Sequence, residues 1–134
     1  MEISKIASMD AQTTCIFCHL APEQIIAENN LCIAIRDAFP VSKGHTLIIP
    51  KRHVANYFDL TPEETAAMQA LMLQIKAQID KDLNPDGYNI GININTAAGQ
   101  TIFHVHMHLI PRYTGDVENP KGGIRGVIPG KQKY

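Results

Sequence analysis

Gly99-Gln100-Thr101-Ile102-Phe103-His104-Val105-His106-Met107-His108-Leu109-Ile110-Pro111-Arg112 decides how this chain is read. His104, His106 and His108 alternate with Val105, Met107 and Leu109. A period of two predicts a β-strand over about Thr101 to Ile110, with three imidazoles on one face and an aliphatic row on the other. Same-face neighbours on a strand lie about 7 Å apart, so one phosphate-sized group can touch two rings. A half-exposed strand that merely carries polar histidines explains this less well, because three in register is not a solubility pattern. His-x-His is also a chelating geometry. By itself the strand leaves metal binding and catalysis both open.

The bounds set by composition are simple. A chain of 134 residues, 45% of them apolar, suits one domain with a single core. The net charge of −1 gives no global basic field for a nucleic-acid polymer. No apolar run approaches the roughly 20 residues of a membrane span. Residues 1–12 lack an apolar stretch of the secretory kind and read as a lead-in to the domain. Three cysteines, two of them in Cys15-x-x-Cys18, suit a reducing cytoplasm and metal or thiol chemistry better than a disulfide framework.

Outward from the histidines, Tyr88 to Ile94 reads as the preceding strand, with Asn95 to Gly99 a small-residue loop. Gln24 to Glu28 and Leu31 to Asp37 read as a hairpin about Asn29-Asn30, where Asn tolerates positive φ. Thr46 to Ile49 is a further strand, stopped by Pro50. Thr61-Pro62-Glu63-Glu64 is a capping box with proline at the first helical position. Met68, Leu71, Met72, Ile75 and Ile79 follow at helical spacing, and the helix should end near Leu83, before Asn84-Pro85. The fold expected is α+β: about five antiparallel strands, neighbours joined by hairpins, and one long amphipathic helix on one face. Val105, Met107 and Leu109 should meet that helix and leave the histidine face as an open cleft.

Two constellations carry chemistry. No Walker-type loop is present and no carboxylate cluster that would hold Mg²⁺ lies near the histidines in sequence. The pattern therefore favours covalent catalysis by imidazole over two-metal hydrolysis, with no Mg²⁺ required. Hydrogen-bond donors must then meet the phosphoryl charge, and Asn93, Gln100 and Thr101 are candidates. The second constellation is Cys15-x-x-Cys18, half of a tetrahedral zinc site. His53 and His104 are the best candidates to complete a closed, structural site, with His19 a poorer one. A bare thiol pair and a redox pair are the alternatives. Cys32 reads as a buried small hydrophobe.

From Cys15 to Arg112 the chain closely resembles the histidine triad (HIT) nucleotide hydrolases and transferases, of the bacterial type with an N-terminal Cys-x-x-Cys. The resemblance rests on Gln-Thr-Ile-Phe-His-Val-His-Met-His-Leu-Ile-Pro-Arg. It implies a HIT-like fold over residues 13–112 and a homodimer. It also implies His106 as the nucleophile forming a nucleotidyl-histidine, with His108 and His45 lining the same site. It puts Asn93, Gln100 and Thr101 at phosphate or leaving-group positions and Asp37 at the ribose hydroxyls. Ile16, Phe17, Leu20, Ile35 and Ala38 would form the apolar slot for the base, with weak discrimination among bases. A distant uridylyltransferase family uses an analogous Cys₂His₂ site whose last ligand is the first triad histidine, here His104. Asn95 stands where relatives often have Gly.

The activity implied is cleavage at a nucleoside α-phosphate, of a dinucleoside polyphosphate such as diadenosine tetraphosphate or of a nucleoside phosphoramidate. The alternatives are nucleotidyl transfer to an acceptor other than water, a zinc hydrolase with the triad as ligands, and a non-catalytic nucleotide sensor. Residues 113–134 form a Gly/Pro-rich basic tail. Its apolar trio Ile124, Val127 and Ile128 suggests that it docks across the cleft, its own or a dimer partner's.

Overall fold

Ile25–Glu28 (β1) and Cys32–Arg36 (β2) form the expected hairpin in a computed structural model that describes residues 14–134. The lead-in at residues 1–12 lies outside the described residues. The hairpin turn does not use positive φ, which is absent at Asn29 and Asn30. Instead the Asn29 side-chain oxygen accepts from the amides of Leu31 and Cys32 at 3.1 and 2.9 Å. An Asx-type bond of this kind shapes the turn without strain.

Thr46–Pro50 (β3) pairs antiparallel with β2 and is buried at every residue. A strand covered on both faces reads as an unbroken apolar run. Its Ile48 joins Cys32 and Ala34 of β2 in the larger core, while Leu47 and Ile49 join Ile33 and Ile35 in a second cluster on the opposite face. The larger core lies against Pro62–Leu83 (α1), whose Met68, Leu71, Ile75 and Ile79 are buried. Each such side chain contributes about 1.5–3 kcal/mol on burial.

The capping box of α1 forms as expected, Thr61 Oγ1 accepting from the Glu64 amide and Glu64 Oε1 from the Thr61 amide, at 3.1 and 2.9 Å. Buried Glu64 also receives both Arg52 Nε and Nη2, at 3.1 and 2.7 Å. The helix stops at Asn84, whose left-handed φ and ψ of 47° and 57° an asparagine tolerates.

Gly87–Gly91 (β4) and Met107–Arg112 (β5) complete one sheet in the order β1-β2-β3-β5-β4. The strands are not all joined as sequential hairpins: the chain crosses from β3 through α1 to the β4 edge, then returns as β5 between them. β4 is also shorter than Tyr88 to Ile94.

The histidine strand is corrected too. Residues 101–106 are not strand, and β5 begins only at Met107. β3 runs on to Pro50 against β2, but its ladder to β5 stops at Ile48↔Met107, where the chain before β5 turns away and the Val105 amide bonds the Val54 oxygen at 2.7 Å instead. The alternation of faces nevertheless persists. Val105 and Leu109 lie in the helix-facing core with Met107 packed against it.

The tail turns back on itself. Its 3₁₀ segment Gly123–Val127 follows Gly122, and Arg125 Nε donates to the main-chain oxygens of Lys131 and Gln132 at 3.2 and 3.3 Å. Lys121 and Arg125 lie over the Tyr134 ring at 4.9 and 5.0 Å. The fold-back sits beside Asn89, Ile110 and Arg112, while Ile124, Val127 and Ile128 point outward, 55–73% exposed. No helix among the described residues is long and apolar enough to cross a membrane.

Candidate active site and metal cluster

His106 is held by two neighbours. Its Nδ1–H donates to the main-chain oxygen of His104 at 2.8 Å, and the Phe17 ring meets it edge-on with centroids 5.1 Å apart. With Nδ1 carrying the proton, the Nε2 lone pair is free for nucleophilic attack.

His45 and His108 form a relay beside it. The Val41 amide donates to His45 Nδ1 at 3.1 Å, so the proton of the neutral ring is on Nε2. Nε2–H then donates to His108 Nδ1 at 2.9 Å, which puts the His108 proton on its own Nε2. Asp37 Oδ2 lies 3.4 Å from His45 Nε2 and 3.9 Å from His108 Nδ1. Burial lowers the pKa of both histidines. For His108 it falls to about 4, helped by the neighbouring rings of His106 and His45, and Asp37 opposes the shift in both. Two neutral imidazoles in fixed tautomers thus present one N–H donor. Asp37, His45 and His108 lie close enough to be considered as a cation site, but a protonated His45 Nε2 is no ligand.

The third histidine is not on an open cleft. His104 is fully buried under the Cys15–Cys18 knuckle, a correction to the expectation of three imidazoles on one exposed face. The second face of the sheet is apolar at Ile33, Ile35, Leu47 and Ile49, and burying it draws Phe17 and Cys15 over the histidine. There Cys15, Cys18, His53 and His104 bring their ligand atoms within 4.8 Å of one another. His104 Nδ1 is 3.4 Å from Cys15 Sγ and 3.6 Å from Cys18 Sγ, and His53 Nδ1 is 3.2 Å from Cys18 Sγ.

His104 Nε2–H is engaged at 2.7 Å by the Pro50 oxygen, which leaves Nδ1 as a ligand. An outer partner of this kind orients a metal-bound histidine. Burial pushes the Cys18 thiol up to about 11, with the neighbouring Cys15 adding to it, and burial lowers His104. A bound dication would offset the thiol shift by stabilising thiolate, and would act with burial in keeping His104 a neutral imidazole. Two thiols and two imidazoles in a closed set are the donors that zinc prefers.

The HIT domain profile matches residues 19–115, most of the chain. The chain belongs to the HIT family. Among similar proteins are an uncharacterised HIT-like protein of Mycoplasma genitalium, 40% identical over 78% of this chain and 79% of the relative, and an adenylylsulfatase of Arabidopsis thaliana, 38% identical over 84% and 59%. A zinc-bound histidine triad protein of Mycobacterium smegmatis superposes with a TM-score of 0.73, 39% identical over 81% of each chain. The five-stranded antiparallel sheet with one long helix is shared with such neighbours, and a zinc-bound HIT relative fits the Cys/His cluster found here.

The other residues expected at a HIT site are placed unevenly. Thr101 and Asn93 are exposed on the loops either side of residue 100. Gln100 is buried, its Nε2 donating to Ala55 and Ile102 oxygens at 2.8 and 3.2 Å and its Oε1 accepting from the Asn95 amide at 2.8 Å. In this conformation its amide is committed to the loop and not to the cleft. Asn95 takes φ 71° and ψ 163°, outside the left-handed helical region that asparagine accepts and within one that favours glycine, so its side chain is strained where Gly was the expected residue.

Of the apolar slot, Phe17, Leu20 and Ile35 come together on the second face of the sheet. Ile16 points away and is 59% exposed, and Ala38 is exposed beside Asp37. His19 is exposed and is not among the four clustered ligands. Sequence reasoning missed the Val41 amide and the Pro50 carbonyl, because main-chain groups carry no residue-type signal. It also missed the Arg52–Glu64 pair beside His53. The Glu64 of the capping box was visible, but not its distant partner.

Proposed function

We propose that this chain is a nucleotide-binding hydrolase that cleaves at a nucleoside α-phosphate through covalent nucleotidylation of His106. The observation that carries the reading is the bond from His106 Nδ1–H to the His104 oxygen, which leaves Nε2 unprotonated. Nε2 attacks the α-phosphorus, the bond to the leaving group breaks, and the Nδ1 proton stays on the ring facing a carbonyl that stabilises the resulting cation. Water then cleaves the phosphorus–nitrogen bond. His108 Nε2–H is a donor for the phosphoryl oxygens, where charge develops in the transition state. Thr101 and Asn93 supply further donors, Gln100 positions their loop, and Asp37 receives the ribose hydroxyls. Phe17, Leu20 and Ile35 floor the base slot.

Cys15, Cys18, His53 and His104 would hold one structural zinc, which when bound supplies four-ligand cross-linking of the knuckle to the triad segment. Use of the triad itself as ligands fits less well, since His106 and His108 lie outside the four-residue cluster. A homodimer is supported by the edge position of β4, where Ile90 is exposed, and by the outward apolar trio of the tail. The thiols of the cluster suit a reducing, cytoplasmic setting.

A turnover panel tests the reading with diadenosine tetraphosphate, diadenosine triphosphate, adenosine phosphoramidate and adenylyl sulfate, the last because one relative is an adenylylsulfatase. Hydrolysis of at least one, with nucleotide recovered on a histidine after acid quench, is the expected result. Tight nucleotide binding with no turnover of any of the four would make the protein a sensor.

A further inference from the structure

Two hydrogen bonds outside the relay hold the loop that leads into His45. Ser42 Oγ donates to the Pro111 main-chain oxygen at 2.7 Å, and the Tyr113 hydroxyl donates to the Lys43 oxygen at 2.7 Å. Pro111 belongs to β5, the strand that carries His108, and Tyr113 directly follows it. The loop in turn carries the Val41 amide, the donor on His45 Nδ1. Loop and strand are thus stapled on one side by Ser42 and Tyr113 and joined on the other by the His45–His108 bond.

The Val41 contact has an electrostatic consequence. An amide hydrogen occupies the Nδ1 lone pair, and an imidazolium has no lone pair to offer, so the contact opposes protonation of His45. The Asp37 carboxylate at 3.4 Å pulls the other way, toward imidazolium. His108, at 2.9 Å, accepts the Nε2 proton and, among the described residues, is the second titratable group against the ring. Which tendency wins depends on where the loop holds its amide.

We propose that Ser42 and Tyr113 are positioning residues: by stapling the 41–44 loop to β5 they keep the Val41 amide on His45, so that His45 stays a neutral donor and His108 keeps its Nε2–H directed at the phosphate site. The inference rests on the reading of His108 as that donor. Burial of His45, which lowers its pKa, works in the same direction as the staple.

The test uses the full chain with Ser42→Ala, Tyr113→Phe and their combination, and Ser42→Thr as the variant that keeps the hydroxyl. Each is first checked for a native circular dichroism spectrum, and the single variants, which each remove one bond, serve if the double variant does not fold. Histidine-ring nitrogen NMR shifts are followed from about pH 4 to 9, the range in which imidazoles titrate.

In the double variant His45 should titrate roughly 0.5–1 pH unit higher, the scale of a lost bond to the neutral form. Turnover of the preferred substrate should fall about tenfold with KM little changed, less than the hundredfold that a 1 Å misplacement can cost. Ser42→Thr should behave as wild type in both measurements. Unchanged ring shifts and an unchanged His45 titration would overturn the proposal. A shifted His45 titration with undiminished turnover supports the staple and instead overturns the assignment of His108 as the phosphate donor.

Discussion

His106 Nδ1 lies 2.8 Å from the main-chain oxygen of His104, whose own ring faces the two thiols of the candidate metal cluster. The ring proposed to attack phosphorus therefore takes its tautomer from a residue anchored by Pro50, Cys15 and Cys18. The candidate metal cluster and the proposed catalytic site share one piece of backbone.

His106→Ala should leave the fold and nucleotide binding largely intact while cutting turnover by at least about a thousandfold. A nucleophile contributes in the transition state and little to ground-state binding. Steady-state kinetics and a nucleotide-binding isotherm on the same preparation check this. Near-wild-type turnover in the variant would remove His106 as nucleophile.

Elemental analysis of protein purified without added metal should find about one zinc per chain, as a closed Cys₂His₂ set requires. Cys15→Ser should lower the thermal midpoint more than it lowers the rate of the chemical step, because the knuckle closes over the second face of the sheet. Metal-free wild-type protein with an unchanged midpoint would reduce the cluster to a thiol pair.

Stability should fall with acid earlier than carboxylate titration alone would cause. The folded pKa of His108 is depressed to about 4 by burial and its histidine neighbours. Below the unfolded value of about 6.5 the unfolded chain binds the extra proton, so stability present at pH 7 is lost as pH falls toward 4. The limit of this effect is roughly 3 kcal/mol for one group. Urea midpoints for wild type and His108→Asn at pH 7 and pH 5 test it, and the variant should show the flatter dependence. Parallel pH curves for the two proteins would contradict the shift.

Glu64→Gln should cost about 2 kcal/mol, the scale of hydrogen bonds to a charged group. The carboxylate closes the capping box and receives Arg52 Nε and Nη2, and its pKa is held below the usual range chiefly by the Arg52 bonds. Arg52 precedes His53, so the variant should also bind zinc more weakly, read by competition with a chromogenic chelator. A loss of stability with unchanged zinc affinity would confine the pair to capping α1.

Gly122→Ala should undo the tail. Gly122 has φ +86°, and an added Cβ would lie 1.7 Å from the Gln132 main-chain oxygen. Trypsin should then cut after Lys121 and Arg125 much faster than in wild type, while the thermal midpoint of the domain hardly moves. Equal digestion rates would show that the fold-back does not protect the tail.

Much of this protein is legible in local sequence. The capping box at Thr61–Glu64, the Met68–Ile79 stripe, the end of α1 at Asn84 and the split of the histidine segment into an imidazole face and a helix-facing row follow from spacing and side-chain chemistry within a few residues. The four candidate metal ligands were legible as residue types too, since cysteine and histidine in such numbers have few other uses. The length of β5 was not. Alternation defines which face a residue occupies, but a ladder lasts only while both chains stay in register, and here the Val105 amide is taken by the distant Val54 oxygen although β3 runs on to Pro50. Gln100 shows the same limit: its amide suits a phosphate or a loop carbonyl, and only packing against Ala55 and Ile102 settles its conformation here. The relay from Val41 through His45 to His108 was likewise decided by tertiary structure, because it begins at a main-chain amide that any residue but proline could supply. Sequence by itself determined which chemical groups the site would have. The distant contacts of the folded sheet decided their tautomers, their burial and which of three similar histidines faces the Cys15 and Cys18 thiols.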